Sequence, residues 1–377
     1  DDLSRAPFPR FNEKSLVALG NGLDGEGRFT EQVMSEALNT VRRFASIAEA
    51  MDVRRVDVLA TEATRRAKNG GELIDRIRAA TGLDTRILSG DQEARLAALG
   101  VVSGCFEPKG LVGDLGGGSL DVAEVVVDDV GERTASMPLG ALRVKALMDD
   151  DIDAAKQHID SVLATSLPPL LTDPVMYAVG GGWRALARVH IAMTGHPINV
   201  VHGYAVSGDV AREHAKQISR MSPDEVASLP DVPSRRNDTL PAAALVMARV
   251  LKHWRPDQVV FSASGLREGW LYSQLDRDEQ SRDALLEGAQ AIGLPMARVP
   301  AFSAALARWT DDVFPGESPQ DRRLRLTACA LTDMCWRDHV KVRARDAFLR
   351  LLQFPFIGIS HPERAFVAVA IMALSLI

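Results

Sequence analysis

The sequence predicts an α/β protein that ends in an all-helical region. Short apolar segments rich in β-branched residues alternate with segments of helical periodicity as far as about residue 275. Two of these strand-like segments run directly into glycine triplets. From about residue 277 onward the strand-like segments stop, and only helical patterns remain. Such alternation is typical of a layered α/β fold, and the tail is long enough for a small helical domain.

The first part of the chain predicts two strand–helix pairs. Residues 53–60 end in an apolar strand-like run, and residues 71–80 carry apolar side chains at helical spacing. Gly82 then suits the end of that helix, because glycine adopts the left-handed conformation easily. Residues 85–89 predict the next strand. Residues 91–102 predict a helix with acidic residues in its first turn.

The second part predicts four strands. Residues 110–115 and 121–127 are strand-like on both sides of the first glycine triplet, which therefore lies in a turn between strands. Residues 176–179 precede the second triplet, a helix over residues 183–194 follows it, and residues 258–262 predict one more buried strand. The tail is predicted to form helices at residues 283–292, 301–313, 322–336, 344–352 and 365–377.

Composition and charge exclude several classes of protein. The chain has 377 residues, 46% of them hydrophobic and 25% charged, which is typical of a globular protein with two or three domains. No apolar run is long enough to cross a bilayer, and the acidic start does not resemble a signal peptide, so we expect a cytoplasmic location and no membrane partner. A net charge of −6 argues against nucleic-acid binding, and a polyanionic ligand would need a local group of cations.

The turn formed by Gly116, Gly117, Gly118 and Ser119 is the strongest local signal. Consecutive glycines let several backbone N–H groups point at one anion, which suits a phosphate. The pattern is neither a P-loop nor a dinucleotide fingerprint, because no Gly-Lys-Ser/Thr follows and the next element is a strand. A tight hairpin turn is the alternative. Asp114 favours the phosphate site, because a carboxylate in an apolar strand needs hydrogen bonds or a cation, and Mg²⁺ commonly accompanies bound phosphate.

Two other side chains are candidates for the same site. Glu93 lies in the first turn of a predicted helix, where it is either a helix-dipole carboxylate or a general base that orients water. Arg65 follows a strand end, where sites of α/β proteins gather, and it could grip phosphate oxygens or be a solvated surface arginine. The residues alone do not choose between these alternatives.

Taken in order, the motifs of this chain resemble those of the Ppx/GppA family. The sequence reads Asp-Leu-Gly-Gly-Gly-Ser at residues 114–119, Pro-Leu-Gly at 138–140, His-Gly at 202–203 and Phe-Ser-Ala-Ser-Gly-Leu-Arg-Glu-Gly at 261–269. Further matching motifs stand at residues 12–14, 60–69, 89–95 and 178–182. The resemblance covers nearly all of residues 10–275.

The resemblance implies an actin-like fold with two ribonuclease H-like lobes around a cleft, and hydrolysis of polyphosphate or guanosine pentaphosphate with Mg²⁺. It places lobe I at residues 1–100, lobe II at residues 101–275 and a helical C-terminal domain at residues 276–377. It also implies a first phosphate hairpin ahead of residue 1. Longer relatives carry an HD-type helical domain, whereas the matching helix here reads Leu-Thr-Asp at 331–333 without the histidine, so we expect packing or dimerisation, not metal binding, from this tail.

By motif position, the resemblance also assigns roles. Glu93 looks like the catalytic carboxylate and Asp114 like the metal-associated aspartate. Asp121 stands where the family usually has a second catalytic glutamate, one methylene longer. The phosphate-binding residues would be Arg65, Gly116, Gly117, Gly118, Ser119, Gly180, Gly181 and Gly182.

Other functions fit the same fold. Actin-like sugar and acetate kinases have a glycine loop like that at residues 180–182, but they lack the Glu-Ala-Arg context of Glu93. A non-catalytic sensor of alarmone or polyphosphate is favoured only by Asp121. Among substrates we favour inorganic polyphosphate over guanosine pentaphosphate, because basic tail residues could extend a cationic path from the cleft. A solvated helix face is the equally open alternative for these residues. These residues are Arg322, Arg323, Arg325, Arg337, Lys341, Arg343 and Arg345. We expect a homodimer.

Overall fold

The fold is described from a computed structural model, which covers residues 4–15, 17, 19–166 and 174–375. It confirms the predicted α/β part and helical tail. In chain order, the strands are β1 Val58–Ala60, β2 Thr85–Ile87, β3 Lys109–Leu115, β4 Leu120–Val126, β5 Asp129–Met137, β6 Val175–Val179, β7 Tyr204–Ser207 and β8 Gln258–Phe261. The α-helices of the α/β part are α1 Glu31–Ala50, α2 Glu62–Arg66, α3 Gly70–Thr81, α4 Gly90–Gly104, α5 Ala141–Asp150, α6 Ile152–Ser166, α7 Gly181–Thr194, α8 Gly208–Ile218, α9 Pro223–Ala227, α10 Leu240–Trp254 and α11 Leu266–Tyr272. Those of the tail are α12 Arg277–Ser281, α13 Ala284–Met296, α14 Pro300–Val313, α15 Pro319–Leu331, α16 Arg343–Gln353 and α17 His361–Leu374.

A six-stranded sheet forms the centre of lobe II. Its order is β5-β4-β3-β6-β8-β7, and β3, β6 and β8 are parallel to one another. Strand β4 pairs antiparallel with β3, and the edge strands β5 and β7 pair antiparallel with β4 and β8. Strands β5 and β7 were not predicted from the sequence, because β5 is largely polar and β7 is only four residues long. In lobe I, β1 and β2 pair in parallel. The parallel strands end together, so the loops that follow β3, β6 and β8 meet at one edge of the sheet.

Helix α4 belongs to lobe II by its packing. It lies on β3, β4 and β5, and its alanine and valine side chains share a core with those strands. The division expected at residue 100 falls inside this continuous helix. We therefore propose that the boundary between the lobes lies before Gly90.

The contact between α4 and α11 is unusually close because glycines stand on both sides of it. A Cβ on Gly269 would overlap the carbonyl oxygen of Leu96, and a Cβ on Gly100 would overlap that of Gly265. The two backbones can therefore approach only if these positions carry no side chain. This packing fixes the start of α11 relative to α4.

The helical tail has its own core and docks on lobe II. Leu285, Leu331 and Ala347 are fully buried within it. The amide of Gly358 donates to the carbonyl of Gly104 (2.6 Å), and His361 shares a hydrogen bond of 2.8 Å with His196. These contacts support the expected packing role of the tail. The last two residues of the predicted terminal helix lie outside the described part of the chain. None of the described helices has the length and apolar character needed to cross a bilayer.

Replacing Gly269 by alanine should destabilise the protein. The added methyl would overlap the Leu96 carbonyl oxygen and lie 2.8 Å from the Gly100 nitrogen, and neither backbone atom can rotate away. We expect a loss of about 1–3 kcal/mol in the free energy of unfolding, seen as a lower midpoint of thermal unfolding. Gly71→Ala is the matched control, because a Cβ at Gly71 of α3 meets no atom within 4 Å. Equal midpoints for Gly269→Ala and the wild type would contradict the proposed packing constraint.

Candidate active site

The turn between β3 and β4 presents unpaired backbone amides. The carbonyl oxygens of Gly116 and Gly117 accept hydrogen bonds of 3.0 and 2.9 Å from the first amides of α5, which hold the turn in place. The amides of Gly117, Gly118 and Ser119 donate no hydrogen bond to any described residue. Three N–H groups left free in one glycine turn are suited to binding phosphate oxygens. The two interpretations of this turn, a tight hairpin and a phosphate site, therefore do not exclude each other.

Asp114 lies at the end of β3, between the loops that follow β6 and β8. An ideal Cβ on Gly180 would lie 3.0 Å from its Oδ1, and one on Gly265 would lie 3.9 Å from its Oδ2. The carboxylate keeps some contact with solvent although protein surrounds it, and among the described residues it accepts no hydrogen bond. Burial, helped by the charges of Asp121 and Glu268, raises its pKa to about 6.

These surroundings fit a hard cation. A carboxylate without hydrogen bonds, beside other acids and next to a phosphate loop, is suited to Mg²⁺, which takes oxygen ligands from protein, phosphate and water. Within the described ranges no three acidic, histidine or cysteine side chains form a complete metal cage. Asp114 would thus be the protein ligand, and phosphate and water would supply the other oxygens.

Asp121 is held by two hydroxyl groups. Ser119 donates to its Oδ2 (2.7 Å) and Ser136 donates to its Oδ1. Burial raises the pKa of Asp121, while both hydroxyls oppose that rise. Its register places it directly opposite Asp114, because the two residues pair across β3 and β4. Asp121 therefore has a fixed orientation, although the side chain is shorter than the family's glutamate.

Glu93 and Arg65 form an ion pair beside Asp121. Glu93, in the first turn of α4, is 6% exposed, and the Arg65 guanidinium donates to its Oε1 and to the carbonyl of Leu88. Burial raises the pKa of Glu93 to about 7, and the charges of Asp121 and Asp114 act in the same direction, while Arg65 opposes them. A simple helix-dipole role would leave this side chain in solvent, so its burial favours the general-base alternative. The Arg65 guanidinium lies beside these carboxylates and is engaged by Glu93 and by the Leu88 carbonyl.

The second glycine loop lies at the start of α7. Gly180 has φ of +101°, and the following residues supply the first amides of the helix, which are unpaired at any helix N-terminus. Arg184 of α7 donates to the carbonyl of Ala263 (2.6 Å) close to Asp114, whose charge raises the pKa of Arg184 against the larger effect of burial. This loop thus contacts Asp114 at the end of β3, close to the start of the hairpin turn.

Sequence reasoning missed two site residues. The Glu62 carboxylate lies against the hairpin, where a Cβ on Gly118 would overlap it, and Arg143 holds it at 2.5 Å. Its position two residues after β1 and three residues before Arg65 was the available signal. Ser136 lies on the unpredicted strand β5, so its contact with Asp121 had no signal in the sequence.

The basic path proposed for the tail is not supported for its central members. Arg323 is buried and pairs with Asp283, and Arg325 pairs with Glu317 and with Asp311 at 2.6 Å. These guanidinium groups stabilise the helical domain and are not free to bind a polyanion. Asp333, at the place of the HD motif, accepts hydrogen bonds from Arg298 at 2.9 to 3.2 Å.

Two family models match this chain. The model of the Ppx/GppA phosphatase family matches residues 7–278, and that of the exopolyphosphatase C-terminal region matches residues 285–374. The chain is 28% identical over 298 residues to exopolyphosphatase 1 of Mycobacterium tuberculosis, which covers 75% of this chain and 85% of that protein. It is also 28% identical over 281 residues to retrograde regulation protein 2 of Saccharomyces cerevisiae, covering 67% of this chain and 48% of the yeast protein.

Solved structures give the same result for the fold. The crystal structure of an exopolyphosphatase from Cytophaga hutchinsonii aligns with a TM-score of 0.61 and 26% identity, covering 70% of this chain and 88% of that chain. The Aquifex aeolicus Ppx/GppA protein aligns with a TM-score of 0.59 and 24% identity, covering 68% and 86%. These alignments confirm the predicted actin-like fold. Since the family model spans residues 7–278, well over half of the sequence, the chain belongs to the Ppx/GppA phosphatase family.

Proposed function

We propose that this protein is an exopolyphosphatase, which hydrolyses the terminal phosphoanhydride of inorganic polyphosphate and releases orthophosphate. The observation that carries the proposal is the position of Glu93, a buried carboxylate with a pKa near 7 beside a glycine turn that has three unpaired amides. Phosphoryl transfer depends mainly on positioning and on stabilising charge, and this site offers both. The relatives named exopolyphosphatase favour polyphosphate over guanosine pentaphosphate.

In the proposed reaction, Glu93 orients a water molecule and accepts one of its protons. The water oxygen bonds to the terminal phosphorus, the bond from that phosphorus to the bridging oxygen breaks, and the shortened chain leaves with the electron pair. Amides of Gly117 to Ser119 bind the equatorial oxygens. Asp121 orients the same water, with its own direction set by Ser119 and Ser136. Mg²⁺ bound at Asp114 would neutralise charge on the phosphate oxygens.

Glu93→Gln should lower kcat about 10²-fold or more, because the amide keeps the shape of the side chain but cannot accept the proton. Phosphate release from long-chain polyphosphate and from guanosine pentaphosphate measures this. For the wild type, kcat/KM should rise with pH through about 7, as Glu93 ionises. Glu132→Gln, on the exposed side of β5, is the control. Wild-type turnover by Glu93→Gln would remove the residue from catalysis. Release from the nucleotide alone would overturn the choice of substrate.

The same Glu93→Gln variant should gain stability relative to the wild type as pH rises. Folding raises the pKa of Glu93 from 4.5 to about 7, so the folded wild type binds the proton more tightly than the unfolded chain. Wild-type stability therefore falls between those pH values, whereas the amide does not titrate. We expect the difference in thermal midpoint, variant minus wild type, to be larger at pH 7.5 than at pH 4.5. A difference that stays constant across this range would contradict the raised pKa.

Asp114→Asn should weaken the binding of the Mg²⁺ on which we expect activity to depend. The amide keeps a single oxygen ligand without charge, so we expect the Mg²⁺ concentration for half-maximal activity to rise about tenfold or more. Titration of Mg²⁺ into chelator-treated protein measures it. The matched control is Asp129→Asn, at the exposed start of β5. An unchanged midpoint for Asp114→Asn would place the cation elsewhere.

A further inference from the structure

Six basic side chains lie around the first half of α7, the helix whose leading glycine loop contacts Asp114. They come from four separate segments: the N-terminal stretch, α7, the short 3₁₀ turn Ser234–Arg236, and α11. We call them the distal cluster. Its members are Lys14, Arg184, Arg188, Arg235, Arg236 and Arg267.

The geometry brings these groups to the second glycine loop. Arg184 and Arg188 are four residues apart on α7 and so share one face of that helix. Arg236 packs directly against the loop, since a Cβ on Gly181 would overlap its guanidinium. Arg267 donates to Asn12 (3.0 Å), two residues before Lys14. The absence of a side chain at Gly181 thus lets a cation reach the amides at the helix start.

Opposite charges nearby are too few to neutralise the cluster. Asp114 and Glu268 face Arg184, and Glu268 also pairs with Arg267 at 3.3 Å. The side chains of Lys14, Arg188, Arg235 and Arg236 make no hydrogen bond or ion pair with any residue in the described ranges.

The cations repel one another as a result. Burial lowers the pKa of Lys14, and the charges of Arg184 and Arg235 lower it further. Burial also lowers the pKa of Arg236, as does the charge of Arg235. In a protein of net charge −6, such a group of mutually repelling cations fits a site for a multiply charged anion.

We propose that the distal cluster, and Arg235 and Arg236 in particular, binds the phosphates that follow the scissile one, so that the site prefers long inorganic chains. This inference rests on the proposed function. With the terminal phosphate on the hairpin turn, the chain passes Asp114 and reaches the start of α7. Each further phosphate then meets a cation. In guanosine pentaphosphate only two phosphates follow the terminal one before the ribose, and the other two form a separate 3′-diphosphate. It therefore does not present one continuous line of phosphates to these cations.

The test compares the double variant Arg235→Gln/Arg236→Gln with the wild type. We expect KM for long-chain polyphosphate to rise about tenfold or more, because hydrogen bonds to charged groups are lost. The effect on KM for tripolyphosphate and for guanosine pentaphosphate should be much smaller. Binding of long chains should also become less sensitive to salt, since fewer counterions are exchanged.

The control is Arg212→Gln/Lys216→Gln on α8, which removes two exposed charges away from the site and should leave all constants unchanged. The single variant Arg235→Gln, at an exposed position, keeps the test valid if the double variant folds poorly. An unchanged KM for long chains, or an equal rise for all three substrates, would overturn the distal subsite while the proposed function stands. If the wild type released phosphate from none of these substrates, the proposed function itself would fail.

Discussion

The position of α4 is the constraint on which the rest of the site depends. Its first turn carries Glu93, and its last turn is clamped to both lobe II and the helical tail. Arg5 donates to the carbonyl of Ser103 (2.6 Å), and the Gly104 carbonyl accepts from His202 (2.7 Å) and from the Gly358 amide (2.6 Å). These are the carbonyls that a helix leaves unpaired at its end, so each bond satisfies a group that would otherwise be orphaned. A rigid helix held at its end holds Glu93 with it.

The carboxylates and unpaired amides of the candidate site would suit a phosphate together with a cation. Glu93 and Asp121 are buried and Asp114 is half-buried beside them, so ionisation is unfavourable unless cations or hydrogen bonds compensate. Arg65 and two serine hydroxyls compensate in part. The unpaired amides of the hairpin turn, in contrast, require hydrogen-bond acceptors. A phosphate with its cation would satisfy both requirements at once.

Ion pairing separates the arginines that stabilise the tail from those that we propose to bind substrate. In the tail, Arg323 is buried and paired with Asp283, and the half-buried Arg325 is paired with Asp311 and Glu317, so both stabilise the helical domain. Around α7, Arg235 and Arg236 have no such partners among the described residues. Both groups consist of arginines, and the order of charges along the sequence does not distinguish them. Only the ion pairs formed in the folded protein do.

The sequence alone determined the alternation of strands and helices, the two glycine turns and the carboxylates beside them. These features are local. Glycine triplets after strand-like segments, and the motifs that contain Asp114 and Glu93, can be recognised directly in the sequence. Only the tertiary structure decided which strands α4 packs against, the presence of β5 and the contact of Ser136 with Asp121, because sheet edges and interhelical contacts depend on residues far apart in the chain. It also decided that Arg323 is a buried ion-pair partner and that Arg236 covers Gly181. Whether an arginine is neutralised depends on its neighbours in space, and these are set by packing.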